Sequence, residues 1–480
     1  MIYQSVQQLL EGVGGVAAVA GDNVRVPSPD SIPRTLVDNL AETSVFGADA
    51  EIRGTARWIV RALADAAGIR PASIHDLYMA MGRGEVSGFT VPAMNIRAMA
   101  YVSARAVFRA ARKLDAGAII LEIARSEIGY TAQRPHEYAA VILAAALREG
   151  FRGPIFLQGD HVQVNAKKHA GPDRDKELSA LRGLIVEEIR AGFYNIDIDT
   201  STLVDLSKPT LEEQQRVNFE LAAEFTRHIR ANEPAGVVIS VGGEIGEVGG
   251  KNSDVHELRA FMDGYNASVG KGVAGISKIS VQTGTAHGGF VGPDGKVRTD
   301  VKIDLDTLRE LSGLSRREYG LGGAVQHGAS TLPPDAFDAF PRVGACEIHL
   351  ATDFQNMVYE HPSFPAPLKD EMYAWLRVNA AEERKPKDTE EQFLYKARKK
   401  ALGPFKPQLW GLPADVAAAI GQSLEDRFAF LMRQLNVQGT AAAVAKHVKA
   451  PALPISRKAE IDAAGGVITA AERKAEGLAD

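Results

Sequence analysis

Ile155-Phe156-Leu157-Gln158-Gly159-Asp160-His161 is the stretch on which the fold turns. A short apolar run of this kind reads as a buried strand. Its Asp-His ending suits a pocket mouth better than a core. Two later stretches have the same form. Ile279-Ser280-Val281-Gln282-Thr283-Gly284-Thr285-Ala286-His287-Gly288-Gly289 is one, and Gly323-Ala324-Val325-Gln326-His327-Gly328-Ala329-Ser330 is the other. In each, an apolar strand runs into a histidine beside glycine. A single histidine near a strand is more often a hydrogen-bonded rim residue than a ligand. Three of them at the ends of three parallel-type strands can converge on one metal ion, and three protein ligands with an open position is a catalytic zinc pattern.

Outward from these stretches, the chain alternates strand and helix patterns. Strands are predicted over residues 90–95, 118–123, 154–158, 193–198, 237–241, 276–282, 323–326 and 346–350. Helices are predicted over 96–114, 135–148, 175–191, 211–231, 254–267, 304–311 and from Thr352. Parallel neighbours need crossover connections, so this alternation implies a parallel sheet flanked by helices. Eight such units close into a (β/α)8 TIM barrel, an α/β fold whose active site lies at the C-terminal ends of the strands. His161, His287 and His327 follow strands three, six and seven, so the barrel gathers them on one face. An open doubly wound sheet would spread strands three and seven further apart.

The flanks carry no such alternation. Residues 1–87 read as a helical N-terminal extension, with residues 12–33 as Gly- and Pro-punctuated loop and a helix near 50–67. Residues 88–365 form the barrel. Residues 366–480 read as a helical C-terminal extension. In it, Val416, Ile420, Leu424, Phe428 and Leu431 line one helix face, Arg398, Lys399 and Lys400 form a basic cluster on a solvated face, and the segment from Lys446 is loosely attached.

Composition narrows the class. The 480 residues are 45% hydrophobic and 24% charged, with net charge −5 and pI near 6.2. There is no basic excess to recruit nucleic acid or an anionic membrane. No apolar run approaches a membrane span, and the N-terminus has neither a basic nor an apolar signal region. The single Cys346 cannot form an internal disulfide, which fits a reducing cytoplasm.

Residues 88–360 resemble the class II, zinc-dependent fructose-bisphosphate aldolases and the related tagatose-bisphosphate aldolases. The resemblance rests on motifs in order: Pro92-Ala93-Met94-Asn95, Asp160-His161, Ala191-Gly192-Phe193 with Ile196-Asp197-Ile198-Asp199, Gly243-Glu244-Ile245-Gly246 with Gly249-Gly250, Gly284-Thr285-Ala286-His287-Gly288 and Gln326-His327-Gly328-Ala329-Ser330. It implies His161, His287 and His327 as zinc ligands and Glu244 as an additional ligand. Asp160 becomes the acid/base on the C4 hydroxyl, although an orienter of a zinc histidine is physically as natural. The reaction implied is reversible cleavage of a ketose (bis)phosphate, with fructose 1,6-bisphosphate the leading candidate. Its products would be dihydroxyacetone phosphate and an aldehyde such as glyceraldehyde 3-phosphate, placing the enzyme in glycolysis or related carbohydrate metabolism. A monovalent cation and a homodimer or larger oligomer are implied too. Phosphate suits backbone N–H groups of glycine-rich turns, which points to Gly288, Gly289, Gly328 and Ser330, with Thr352 opening the last helix.

The sequence departs from the family at three places. Lys251-Asn252-Ser253-Asp254 stands where the mobile loop carries its glutamate, leaving Glu247 or Asp254 as substitutes. His349 and Ala351 stand where strand eight carries Asn and Asp, and Thr331 where Gly is frequent. Gly159-Asp160-His161 through Asn165 also resembles the accessory, non-catalytic subunit of tagatose-bisphosphate aldolase, which is the alternative reading.

Overall fold

The computed structural model describes residues 1–246, 251–284, 292, 303–330, 332–466 and 472. Eight parallel strands follow one another around a closed barrel: β1 (Val91–Asn95), β2 (Ile120–Ala124), β3 (Gly153–Gln163), β4 (Asn195–Asp199), β5 (Ser240–Glu244), β6 (Lys278–Val281), β7 (Ala324–Gln326) and β8 (Glu347–Leu350). The register Glu347↔Val91 through Leu350↔Met94 joins β8 back to β1 and closes the ring. This is the (β/α)8 fold expected from the alternation.

The helices outside the barrel form for ordinary reasons. In α1 (Ala100–Leu114), Ala104, Val107, Phe108 and Ala111 are buried at helical spacing. In α3 (Arg174–Ala191), Leu178, Leu181, Ile185 and Ile189 make the buried stripe, and Gly192 at φ +96° ends the helix.

Several strand limits differ from the pattern reading, each for a local reason. β5 runs through Gly242 and Gly243 to Glu244, because a Cβ on Gly242 would lie 2.3 Å from Asp197 Oδ1. Glycine there makes room for a neighbouring carboxylate and does not break the strand. β3 continues past Gln158 to Gln163 through a bulge between Gly159 and Val162. Residues 12–33, read as loop, hold a short hairpin, and the rest of the N-terminal extension adds a helix and an edge strand. Ala18–Ala20 pairs antiparallel with Asn23–Arg25 around Gly21 at φ +60°, a helix covers Arg34–Phe46, and Ile69–Pro71 extends the sheet beside the start of β3.

Both flanks pack on the barrel. The helix Ala414–Gln434 lies along α1, and Ala50–Ala66 lies on α2 (Pro135–Glu149). The chain from Lys446 is not loose throughout. Helix Arg457–Ala464 crosses Ala50–Ala66 so closely that a Cβ on Gly54 would meet Ile461 Cα at 2.4 Å. Its fully buried Glu460 pairs with Arg61 at 2.5 Å and lies 3.2 Å from His136. Among the described residues, no helix is long and apolar enough to cross a membrane.

Candidate active site

A regular strand points successive side chains to opposite faces. Asp160 and His161 are successive, yet both face the barrel interior. The bulge in β3 achieves this, with His161 held at φ +41°, a conformation that costs a non-glycine residue of order 1–3 kcal/mol.

His161 Nδ1 is 3.0 Å from Asp199 Oδ2 on β4. That contact leaves Nε2 turned toward Asp160 Oδ1, 3.8 Å away. The His327 ring lies 4.5 Å from the His161 ring, with its Nε2 2.9 Å from Ser280 Oγ on β6. Each imidazole is thus oriented by an oxygen on one nitrogen, the usual outer arrangement around a metal-binding histidine. Asp160, His161 and His327 offer ligand atoms within 4.8 Å of one another, all buried. Glu244 Oε2 lies 3.8 Å from His161 Nδ1 and groups with Asp199 in the same way. His287 and Gly288 lie outside the described residues, as do Gly289, Thr331, Glu247 and Gly249-Gly250.

The electrostatics fit a cation. Burial, then Asp199, pushes the Glu244 carboxyl well above its usual range. Burial works to lower His161, but Asp160, Asp199 and Glu244 hold it well above an ordinary imidazole. A divalent ion among these carboxylates and imidazoles would satisfy the charges that protons otherwise must. The donor set, imidazole nitrogen with carboxylate oxygen, suits zinc.

Of the expected phosphate residues, Gly328, Ser330 and Thr352 lie at the ends of β7 and β8. Gly328 turns at φ +67° after β7. Ser330 Oγ accepts the Ala351 N–H at 2.7 Å, tying the β7 loop to the end of β8. Thr352 is the first residue of helix Thr352–Tyr359, and its Oγ1 accepts from Arg97 Nη2 at 3.0 Å. Arg97 also donates to Glu127 Oε1 at 2.8 Å.

The basic cluster of the C-terminal extension is not a solvated face. Arg398 is 3% exposed, stacks 4.4 Å over the Tyr395 ring and pairs with Glu360 at 2.9 Å. Lys399 Nζ lies 5.8 Å over Tyr130, a residue that also contacts Arg97. Burial, then Arg97 and Lys400, lowers Lys399 to about 8. The chain folds back here because the Gly403 N–H donates to Tyr130 O at 3.0 Å, where a Cβ would lie 2.4 Å from that same oxygen.

The barrel interior below the histidines is charged. Glu122, Asp197, Lys278, Glu347 and His349 are all buried, with Gln158 among them. Lys278 Nζ donates to Asp197 Oδ2 at 2.9 Å, Gln158 Oε1 at 2.8 Å and Glu347 Oε1 at 2.5 Å. His349 stacks on His327 with ring centroids 4.0 Å apart. Apart from His349, which stands out against the family pattern, these residues escaped the pattern reading, although a signal exists. Ile120–Ala124 and Lys278–Val281 each carry one charged residue, and Glu347–Leu350 carries Glu347 and His349 at alternate positions. Inward-facing barrel positions are normally branched apolar residues.

A closed (β/α)8 barrel with paired imidazoles and carboxylates at the C-terminal strand ends defines a metal-assisted barrel enzyme in architecture. The family model described as fructose-bisphosphate aldolase class-II matches residues 79–401, and the chain belongs to that family. It is 26% identical over 145 residues to a fructose-bisphosphate aldolase of Giardia intestinalis. That match spans 30% of this chain and 40% of the Giardia protein. Among solved structures, it is similar to a fructose-bisphosphate aldolase of Campylobacter jejuni at 18% identity, covering 78% of this chain and 97% of that one, with TM-score 0.46. It is also similar to the YdjI aldolase of Escherichia coli K12 at 13% identity, covering 77% and 99%, with TM-score 0.46.

Proposed function

We propose that this protein is a metal-dependent aldolase that reversibly cleaves a ketose phosphate, with fructose 1,6-bisphosphate the leading candidate. The products would be dihydroxyacetone phosphate and an aldehyde. The observation that carries the reading is the pairing of His161 and His327, each oriented by an oxygen, against Asp160 and Glu244 at the C-terminal end of the barrel. His287, six residues beyond β6 in sequence, is proposed as the remaining ligand. Zinc held there supplies Lewis-acid stabilisation of the negative charge that retro-aldol cleavage leaves on the ketose half.

The chain's own residues do the rest. Asp160 takes the C4 hydroxyl proton in cleavage and returns it in condensation. Asp199 and Ser280 fix the imidazoles that hold the metal. Backbone N–H groups at Gly288 and Gly328, with Ser330 and Thr352, hold the phosphate of the dihydroxyacetone half. Arg97 and Lys399 place positive charge at the rim for the other anionic end. His349 and Ala351 replace the Asn and Asp of the family pattern. Ala351 offers no side-chain hydrogen bond, so the pocket holds the aldehyde half loosely, at a cost of about 1–3 kcal/mol in selectivity. A homodimer or larger oligomer in the cytoplasm, with a monovalent cation near the phosphate, belongs to the same proposal and is supported by family membership.

Chelation should abolish cleavage and zinc should restore it. His287→Ala should lose metal affinity far more than His169→Ala or His256→Ala. Full activity in metal-free protein, or equal losses in the three variants, would refute the assignment.

A further inference from the structure

We propose that His349, on β8, is a positioning residue for Asp160, fixing the carboxylate that exchanges the C4 hydroxyl proton. The inference rests on the aldolase reading, because it needs Asp160 as the acid/base. A general base must lie within hydrogen-bond reach of the proton it takes, and a misplacement of about 1 Å can cost roughly a hundredfold in rate. The backbone gives Asp160 reduced support. On the β4 side the pairing of β3 skips from Gly159 to Val162, so Asp160 is paired with Ala124 on β2 but not with β4. Side-chain contacts must therefore set where its carboxylate points.

His349 supplies such a contact. Its Nδ1 lies 3.3 Å from Asp160 Oδ1 and 3.0 Å from Glu122 Oε2. The ring is itself held from behind, with Nε2 2.7 Å from Glu347 Oε1. That oxygen accepts from Lys278 Nζ at 2.5 Å, and Lys278 also donates to Gln158 and Asp197. Glu122 Oε2 is fixed in turn by Gln158 Nε2 at 3.0 Å. A carboxylate behind one imidazole nitrogen orients the ring and aims the other nitrogen. Here the aim is Asp160. With Oδ1 held, the direction of the second carboxylate oxygen is set as well.

The same ring stacks on His327 with centroids 4.0 Å apart. His349 thus touches the acid/base on β3 and a proposed metal ligand after β7, and keeps the spacing between them. The bland reading is that His349 only balances charge inside the barrel. The two readings differ in which ring nitrogen matters. Charge balance and packing rest on the Nε2 contact with Glu347, whereas positioning rests on the Nδ1 contact with Asp160.

The test compares His349→Asn, which places an amide N–H near the Nδ1 position, with His349→Gln, which reaches the Nε2 position. Two reactions are followed. Cleavage of fructose 1,6-bisphosphate moves the C4 hydroxyl proton through Asp160. Exchange of a carbon-bound hydrogen of dihydroxyacetone phosphate in deuterium oxide, read by proton nuclear magnetic resonance, moves no C4 proton and does not use Asp160. In His349→Gln, kcat for cleavage should fall roughly ten- to a hundredfold with little change in KM, the usual effect of removing a group behind a working side chain. Exchange should fall far less. His349→Asn should keep most of the cleavage rate, and zinc content by elemental analysis should match wild type in both variants. The reverse ranking, equal losses of cleavage and exchange in His349→Gln, or zinc or native circular dichroism lost from both variants would overturn the positioning role. A wild-type chain that neither cleaves nor exchanges would instead refute the aldolase reading, and the inference with it.

Discussion

Lys278→Met removes the lysine that Asp197 and Glu347 share and leaves them only the His349 imidazole among the described residues. Lys278 is 0% exposed, and its Nζ lies 2.9 Å from Asp197 and 2.5 Å from Glu347. Methionine fills nearly the same space, so the change acts through charge. Removing one member of a buried ion pair costs about 3–5 kcal/mol, because the remaining charge has no partner. For a cooperative unit of 150–250 residues each kcal/mol moves the melting temperature by roughly 2–4 °C, so a fall of roughly 6–20 °C is expected. The assay is thermal unfolding followed by circular dichroism at fixed, saturating metal, since bound metal itself shifts the transition.

The pH dependence sharpens the test. In the native chain burial works to raise the Glu347 carboxyl, but Lys278 and His349 hold it far below the usual range. That stability is present above the unfolded carboxylate pKa and is lost as pH falls through the depressed folded value. Without Lys278 the buried carboxyls shift upward, so the folded variant binds more protons than its unfolded chain near neutrality, and its stability falls as pH rises. The deficit should therefore be larger at pH 8 than at pH 5.5. Equal melting temperatures at pH 8, or a deficit that grows on acidification, would refute the counter-ion role. The same environment keeps the lysine charged: burial opposes it, but Asp197 and Glu347 raise its pKa above that of a free amine. A nucleophilic lysine needs the reverse. Borohydride with a ketose phosphate should trap no imine, and a labelled lysine would contradict this.

Two further outcomes follow from the bulge and the rim. A Cβ on Gly159 would lie 2.5 Å from Glu188 Oε2, and Glu188 is fully buried, so its carboxylate must shift within the packed interior. Gly159→Ala should cost about 1–3 kcal/mol in denaturant unfolding and weaken metal binding by shifting the Asp160-His161 bulge; an unchanged midpoint would show the clash relaxes freely. Lys399, lowered to about 8 by burial and then by Arg97 and Lys400, carries its charge below that pH and loses it above. KM for a bisphosphate should therefore rise above about pH 8 with little change in kcat, and Lys399→Met should abolish that rise; an identical pH profile in the variant would remove Lys399 from substrate binding.

The barrel was legible because its strands and helices alternate with a regular period, and each histidine motif sits where an apolar run stops. The strand-end positions of Asp160, His161 and His327, with Gly328, Ser330 and Thr352 just beyond β7 and β8, were legible for the same reason, whereas Glu244 was singled out only by the family resemblance. Three features were not. The bulge that turns Asp160 and His161 to the same side has no signature beyond Gly159, because period alone predicts opposite faces. The charged interior was hidden because Glu122, Lys278 and His349 fall inside predicted strands, and only closure of the barrel shows that they converge. Arg398 and Lys399 looked solvated because a run of like charges is usually a surface face. Their burial depends on the return of the chain to Tyr130, a contact between distant parts of the sequence.

The central claim is best tested by turnover of metal-loaded protein over fructose, tagatose and other ketose phosphates, with direct detection of dihydroxyacetone phosphate. The account predicts release from at least one bisphosphate, lost on chelation and recovered with zinc. No release from any of them, with zinc bound at His161 and His327, would contradict it and favour a non-catalytic accessory role.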